Sequence, residues 1–412
     1  MNILFLADIV PYPPNTGIKI RTYNILKQLH DNGNNKVFVL CFNHKTLISS
    51  PQDLTDAVAA LKLYCEEIRV FDIASDRSLL AKYFSMMKNI FQRVPHRCIR
   101  YFSRECQSAI ESIVRDVDID IVHLDKTELA YYLDDFRGIP VVCTNHNVES
   151  KLMASRVVYE RGVFRKYFAH IQSKKLRKFE KKILNSIDGY VTCTDVDRDY
   201  FESEMAIDNR QITIANGVDI NYYQRKEREG EFLLIVGAQN VDSTANFDAT
   251  HWFMSSIWPG IKSFRPEVKL KIVGRNPDKT ILSYATDNDV EIVGFVDDER
   301  DYFNSATALI VPIRVGGGSR LKILVGMAMG LPIVSTAVGA EGIDVVDGQS
   351  ITLADEVDQF VDAVVRTISD GGYRGTLAKN AREIAENEYD WSILGRRLRA
   401  FYQQIIKDRL EN

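Results

Sequence analysis

The densest run of reactive side chains in the 412-residue sequence is Arg314-Val315-Gly316-Gly317-Gly318-Ser319-Arg320-Leu321-Lys322-Ile323-Leu324. It follows an apolar run ending at Val311-Pro312 and opens a segment of helical spacing that reaches about Met329. Glycines at a helix start let backbone N–H groups approach an anion closely, and the helix dipole adds partial positive charge. Arg320 and Lys322 add full charge, and an arginine can hold a diphosphate through two parallel hydrogen bonds. A tight turn carrying surface charges is the competing reading. Three glycines, two basic residues and a helix start together favour an anion site. The run is neither a P-loop nor a G-x-G-x-x-G fingerprint.

Two further runs have the same kind of position. Pro13-Pro14-Asn15-Thr16-Gly17 precedes a helical pattern bearing Lys19 and Arg21, and taken alone it fits a proline-rich connector equally well. Thr144-Asn145-His146-Asn147-Val148-Glu149-Ser150 directly follows a buried apolar run. Polar residues at a strand's carboxyl end are where sites form in α/β sheets. Asn145, Asn147 and Glu149 around His146 suggest sugar binding, against the alternative of a structural histidine. His123 and Asp125 stand at the same place after the preceding strand.

These runs need a scaffold that brings strand ends together. Ile3 to Val10, Val37 to Cys41, Glu67 to Phe71, Ile119 to Leu124, Val141 to Thr144 and Gly189 to Thr194 read as buried strands separated by helical stretches. The pattern restarts with Phe232 to Val236, Leu270 to Val273, Val290 to Ile292, Ala308 to Val311 and Pro332 to Ser335. Such alternation predicts two parallel sheets, each covered on both faces, which is a two-domain α/β protein. The turn signal Asn216-Gly217-Val218-Asp219 places the join between a domain of residues 1–218 and one of 219–390. A cleft faced by both sets of loops is then the expected ligand site.

Composition narrows the class. An apolar fraction of 45%, a charged fraction of 26% and a net charge of -4 describe a soluble globular chain with no overall pull towards nucleic acid. The six cysteines form no C-x-x-C pair, so buried free thiols in a reducing cytoplasm are expected, with neither a zinc site nor a disulfide framework. The start MNILFLADIV lacks a basic region and ends in prolines, unlike a signal peptide, and no apolar run is long enough to span a membrane. Two stretches are basic and read as amphipathic helices, residues 77–102 and 151–185. The second carries eleven Lys or Arg against two Glu. A solvated basic face is one reading, and attraction to an anionic membrane surface or a phosphate-bearing acceptor is the other.

Taken in order, PYPPNTGIKIRTYNILKQL, HNVES, VTCTDVDRDYF, IANGVD, VGRNP, VGFVDD, VPIRVGGGSRLKIL, GMAMGLPIVSTAVGAEGID and YDWSILGRRL run nearly end to end. In this order and spacing the chain resembles the family-4 retaining glycosyltransferases of GT-B fold, especially bacterial transferases of exopolysaccharide and cell-surface glycan pathways. The resemblance implies two Rossmann-like domains, with the donor on the second and the acceptor on the first. It implies a donor linked to uridine or guanosine diphosphate, a glycan or polyprenyl-lipid-linked acceptor, retention of configuration, and neither metal nor cofactor. Gly17 would lie by the diphosphate, and His146 would contact the transferred sugar. Arg275 and the backbone of Phe295 and Val296 would meet the nucleobase. The segment from Gly316 through Gly317, Gly318 and Ser319 to Leu321 and Lys322 would hold sugar and diphosphate. Asp125, Asn145, Asn147 and Glu149 would line the acceptor side, and a last helix, 391–412, would pack back on the first domain.

Three departures stand out. The wider family has two Glu in the loop and helix where this sequence has Gly317 and Val325. Val325 occupies the position of the carboxylate that accepts hydrogen bonds from the donor ribose. A basic pair after the second domain's first strand is replaced by Gly237-Ala238-Gln239-Asn240-Val241-Asp242, which leaves Arg320 as the expected substitute at the diphosphate. The chemistry expected of the site is stabilisation of the charge that develops on the leaving diphosphate, by helix amides and Arg320. No carboxylate pair is placed as in a glycosidase. A catalytically impaired nucleotide-sugar-binding or scaffold homologue is the alternative that Val325 supports. A sugar-nucleotide epimerase would need paired carboxylates near the sugar, which the sequence does not place.

Overall fold

In the computed structural model the apolar runs become two all-parallel sheets. The structure describes residues 1–73, 85–159, 162–226, 230–240, 243–286, 288–315 and 321–411. The chain divides into two units, one of Met1–Ala215 with Leu394–Asn412 and one of Asn216–Ile393.

The first unit holds β1 (Asn2–Ala7), β2 (Lys36–Asn43), β3 (Glu67–Asp72), β4 (Ile121–Leu124), β5 (Val141–Asn145), β6 (Gly189–Thr192) and β7 (Gln211–Thr213) in the order β3-β2-β1-β4-β5-β6-β7. Ile3, Leu4, Phe5 and Leu6 are fully buried, as are Ile121, Val122 and Leu124 beside them. A strand covered on both faces has no polar face to show, which is why these runs are continuous rather than alternating. The strand order reverses between β1 and β4, so the carboxyl ends of those two strands flank a natural crevice.

The second unit holds β8 (Phe232–Val236), β9 (Leu270–Val273), β10 (Val290–Gly294), β11 (Ala306–Val311), β12 (Ile333–Ser335) and β13 (Thr352–Leu353) in the order β10-β9-β8-β11-β12-β13. Its reversal lies between β8 and β11. The core around Phe253, Ile257, Ile272, Ile310 and Phe360 sits on one face of this sheet.

The last helix, Trp391–Glu411, starts in the second unit and belongs to the first from Leu394 onward. Its packing on the Gly17–His30 helix is close at Gly395, where a Cβ would lie 2.9 Å from Gln28 Cγ. Arg399 donates to the Gln28 carbonyl and pairs with Asp31 at 3.1 Å.

Two expected helices differ from their sequence reading. Within 77–102, residues 77–84 lie outside the described residues. The remainder is a helical turn over 85–89 and a separate helix, His96–Arg100. Pro95 stands at the N-cap of that second helix with φ -58 and ψ 146, and its ring disfavours helical backbone at the preceding Val94, which separates the two pieces. The 151–185 stretch is two helices, Glu149–Tyr159 and Val163–Leu184, divided before Gly162, whose φ of 106 suits glycine. The six cysteines are free and buried.

Candidate functional site

Each unit gathers polar side chains at its own strand reversal. In the first, β1 is followed by Asp8, β4 by Asp125 and Lys126, and β5 ends in Asn145 with His146 next. Asp125 is 1% exposed. Its backbone N–H donates to the Leu6 carbonyl at 2.8 Å, which locks it to β1. Its Oδ2 accepts from Thr22 Oγ1 at 2.5 Å, and its Oδ1 stands 3.4 Å from His146 Nε2. Burial pushes the His146 imidazole towards neutrality. The Asp125 carboxylate 3.4 Å away, with Cys193 alongside, outweighs that and raises its pKa to about 10. His146 is therefore an imidazolium at neutral pH.

His123, two residues from Asp125, has the opposite character. It stacks on Phe5 with ring centroids 4.6 Å apart, and its ring nitrogens bond Thr144 Oγ1 at 3.0 Å and Tyr402 OH at 2.5 Å. Burial lowers its pKa to about 4 in spite of Asp125, and Arg21 and His146 add to the lowering. Two histidines near one carboxylate thus carry different charges.

The remaining first-unit residues separate into open and enclosed. Asn147 is half-buried and Gly17 is exposed. Asn145 is 2% exposed and accepts from Thr127 Oγ1, and Glu149 is 5% exposed and paired with Arg97. Arg97 also lies 3.2 Å from Glu128. Arg21 does not face an open anion site. It donates to the carbonyls of Ile214 and Ala215 at 2.7 and 2.8 Å and so anchors the chain leaving β7.

The sequence reading missed Asp8. It accepts from Lys126 Nζ at 3.0 Å and from Tyr101 OH at 3.3 Å. Burial would raise its pKa, but Lys126, His146 and His44 together hold the carboxyl below its usual range. A lone polar residue ending the apolar run of β1 was the available signal. Tyr402 left no comparable trace, since its partner lies 279 residues away.

In the second unit the strand ends are joined by backbone hydrogen bonds. Gly237 N–H donates to Val273 O at 2.9 Å, Gly274 N–H to Gly294 O at 2.8 Å, and Gln239 N–H to Arg275 O at 3.0 Å. This brings the segments bearing Gly237, Arg275 and Phe295-Val296 side by side. Phe295 is 65% exposed and Arg275 is exposed, so both are open to a ligand. Lys322, on the Leu321–Ala328 helix, donates from Nζ to Asn246 Oδ1 at 2.8 Å. Val325 lies on the same helix and is 8% exposed. Gln239 and Thr250, both buried, share a small cavity with Asn246 and Lys322, and neither the Gln239 carboxamide nor the Thr250 hydroxyl has a hydrogen-bond partner among the described residues. Gly316, Gly317, Gly318, Ser319 and Arg320 lie outside the described residues. Arg314 pairs with Asp248 at 2.7 Å and covers Trp252.

Gly237 makes this arrangement possible. Its φ of +144 disfavours a side chain, and a Cβ there would sit 2.8 Å from both Lys322 Nζ and Asn246 Cγ. Gly237→Ala should destabilise the protein by about 1–3 kcal/mol through backbone strain and crowding. Denaturant titration checks the stability. Titration with a nucleoside diphosphate checks whether displacing Lys322 also weakens anion binding.

Comparisons with known proteins give the family and the fold. The profile described as "Glycosyltransferase Family 4" matches residues 16–222, and that described as "Glycosyl transferases group 1" matches residues 231–370. A 44.6 kDa protein of the cps region of Klebsiella pneumoniae is 19% identical over 404 residues, covering 94% of this chain and 96% of its own. Sucrose-phosphate synthase from Thermosynechococcus elongatus superposes with a TM-score of 0.69 at 15% identity, covering 99% of this chain and 100% of its own. Anabaena HepE, solved with UDP and glucose, superposes with a TM-score of 0.64 at 13% identity, covering 98% and 99%. These likenesses identify the two parallel-sheet units as a GT-B fold.

Proposed function

The chain belongs to the family-4 glycosyltransferases, and from that premise we propose that it moves a sugar from a nucleoside-diphosphate donor to a glycan or polyprenyl-lipid-linked acceptor, with retention and without a metal ion or cofactor. The observation that carries this reading is the cluster at the β8/β11 reversal, where Gly237, Lys322 and Asn246 meet beside open Arg275 and Phe295. Ligands of open α/β sheets bind at such a reversal. Support for a uridine carrier comes from HepE, whose structure holds UDP. Guanosine diphosphate fits the same chemistry.

In this reading the anomeric C–O bond to the diphosphate breaks, and its electron pair leaves with the phosphate. The acceptor hydroxyl forms the new C–O bond and gives its proton to the departing phosphate oxygen. Lys322, Arg320 and the amides of Gly316, Gly317, Gly318, Ser319 and Leu321 stabilise the charge that develops there, which is electrostatic preorganisation. Gly17 lies by the diphosphate. The nucleobase rests on Phe295-Val296 with Arg275 at its edge.

The imidazolium of His146 meets the hydroxyls of the transferred sugar and favours their orientation. Among the acceptor-side residues, Asn147 makes the open contact, while Asp125, Asn145 and Glu149 support it from within. The enzyme works in the cytoplasm at the inner face of the membrane that carries its acceptor.

A non-catalytic homologue is the second reading, favoured by valine at position 325. A panel of sugar nucleotides in a thermal-shift assay, followed by product analysis with the ligand that stabilises most, separates the two. Stabilisation with transfer supports the enzyme, and stabilisation without transfer supports the second reading. No stabilisation by any member of the panel overturns both. Arg320→Ala should weaken a nucleoside diphosphate roughly tenfold or more and the free nucleoside little, as expected for loss of a charge-assisted bond. Equal losses in calorimetric titration would remove Arg320 from the diphosphate.

A further inference from the structure

The Glu149–Tyr159 and Val163–Leu184 helices pack on each other through Met153, Ala169 and Leu176 with Val157. Beyond that seam, the start of the second helix is open. Val163 is 87% exposed, Phe164 43% and Tyr167 59%. The 85–95 segment is fastened to the same helix. Gln172 Nε2 donates to Asn89 Oδ1 at 2.8 Å, and Lys175 Nζ donates to the carbonyls of Asn89 and Ile90 at 2.6 and 3.1 Å. That segment exposes Met87 at 58% and Phe91 at 92%. Large apolar side chains this open on both neighbouring elements mark a contact surface.

Among the described residues, the exposed charge around them is basic. Lys88, Arg93, Arg165, Lys166 and Lys174 are exposed. Across 85–102 and 149–185 the described carboxylates are Glu149 and Glu180, and both are buried. The other end of the long helix has different neighbours. Arg177 bonds Tyr200 OH and the Glu204 carbonyl there, next to the acidic 195–204 stretch. The basic surface of the described residues therefore lies on the side of Val163 and Phe91.

An apolar patch alone would suit many partners. One ringed by cations, with no exposed carboxylate among the described residues of these segments, suits a partner that is both apolar and negative, which is the interface of an anionic phospholipid bilayer. We infer that this end of the first unit docks on such a bilayer, with Met87, Phe91, Val163, Phe164 and Tyr167 entering the headgroup–acyl boundary and the surrounding Lys and Arg meeting lipid phosphates. Long basic side chains suit this place because their stems lie along apolar surface while their heads reach outward. The inference specifies the membrane contact of the proposed lipid-linked reaction and rests on that reading for its purpose, but not for the docking itself.

Flotation of the full chain with phosphatidylcholine vesicles, with and without phosphatidylglycerol, tests it. Binding is expected to phosphatidylglycerol-containing vesicles, at least about tenfold tighter than to phosphatidylcholine alone, and to weaken with salt. The triple variant Phe91→Ser, Val163→Ser, Tyr167→Ser should lose about tenfold or more. Lys166→Glu with Lys174→Glu should lose a similar amount. The melting temperature should stay unchanged in both variants, because these side chains are exposed. Equal binding to both vesicle types, no binding, or full binding by the triple variant overturns the docking. Self-association that the triple variant abolishes, without vesicle binding, assigns the patch to a second copy and also overturns it. Vesicle binding needs no donor. A chain that floats but binds no sugar nucleotide fails the proposed function alone, and one that transfers sugar but does not float fails only this inference.

Discussion

Asp125→Asn should move the titration of His146 from about 10 to below 6.5, a change read directly as the pH dependence of the His146 ring signals in NMR. Burial alone drives this imidazole towards its neutral form, and Asp125, followed by Cys193, reverses the sign. Asparagine keeps the shape and can still accept from Thr22, but it removes the Asp125 charge. Because the folded pKa of His146 lies above its unfolded value, the pair's stabilisation is fully present below about 6.5 and fades as pH rises through about 10. The wild-type protein should therefore lose this contribution progressively between about pH 6.5 and about pH 10. The variant lacks it at all pH values and should be less stable by on the order of 3 kcal/mol at neutral pH, as when one partner of a buried pair is removed.

If His146 acts on the sugar as an imidazolium, kcat/KM of the variant at pH 8 should fall about 100-fold, the scale of a lost charge-assisted contact. Activity should partly recover in acid as the ring regains its proton. A His146 that still titrates near 10 beside asparagine would show that its charge has another source.

The relation between Asp125 and His146 explains how much of this site can be read along the chain. Strands β1, β4, β5 and β8 are legible because a sheet covered on both faces demands unbroken apolar runs. Strands β7, Gln211–Thr213, and β13, Thr352–Leu353, are not, because two or three residues beside polar neighbours carry no periodicity. The loop positions at strand ends were legible for the same topological reason that made the strands so. What could not be read was which polar side chains turn inward. Glu149 and Asn147 are two residues apart in one run, yet one is paired with Arg97 in the interior and the other is half open. That difference is set by Arg97, which the His96–Arg100 helix brings to Glu149 from 52 residues away. Charge runs were legible as composition, but their division into helices was set by single residues, Pro95 and Gly162, that local punctuation does reveal.

Val325→Glu should tighten the nucleoside-diphosphate donor by about 10- to 100-fold, equivalent to about 1.5–3 kcal/mol for a charge-assisted hydrogen bond to the ribose. The structure adds a second, opposite effect. Val325 is 8% exposed and follows the buried Ile323 and Leu324 on the Leu321–Ala328 helix, so a carboxylate there is poorly hydrated when no ligand is bound. Without ligand the variant should be less stable than the wild type by about 1–3 kcal/mol, the range for an imperfectly partnered buried polar group. Saturating donor should then raise its melting temperature by more than it raises that of the wild type, because the ligand both binds tighter and supplies the missing partners. Calorimetric titration and thermal shift on both forms test the two effects separately. Lower stability with no gain in affinity would mean that the ribose does not reach position 325, and that this helix meets the donor through Lys322 and the residues before it rather than through its second turn.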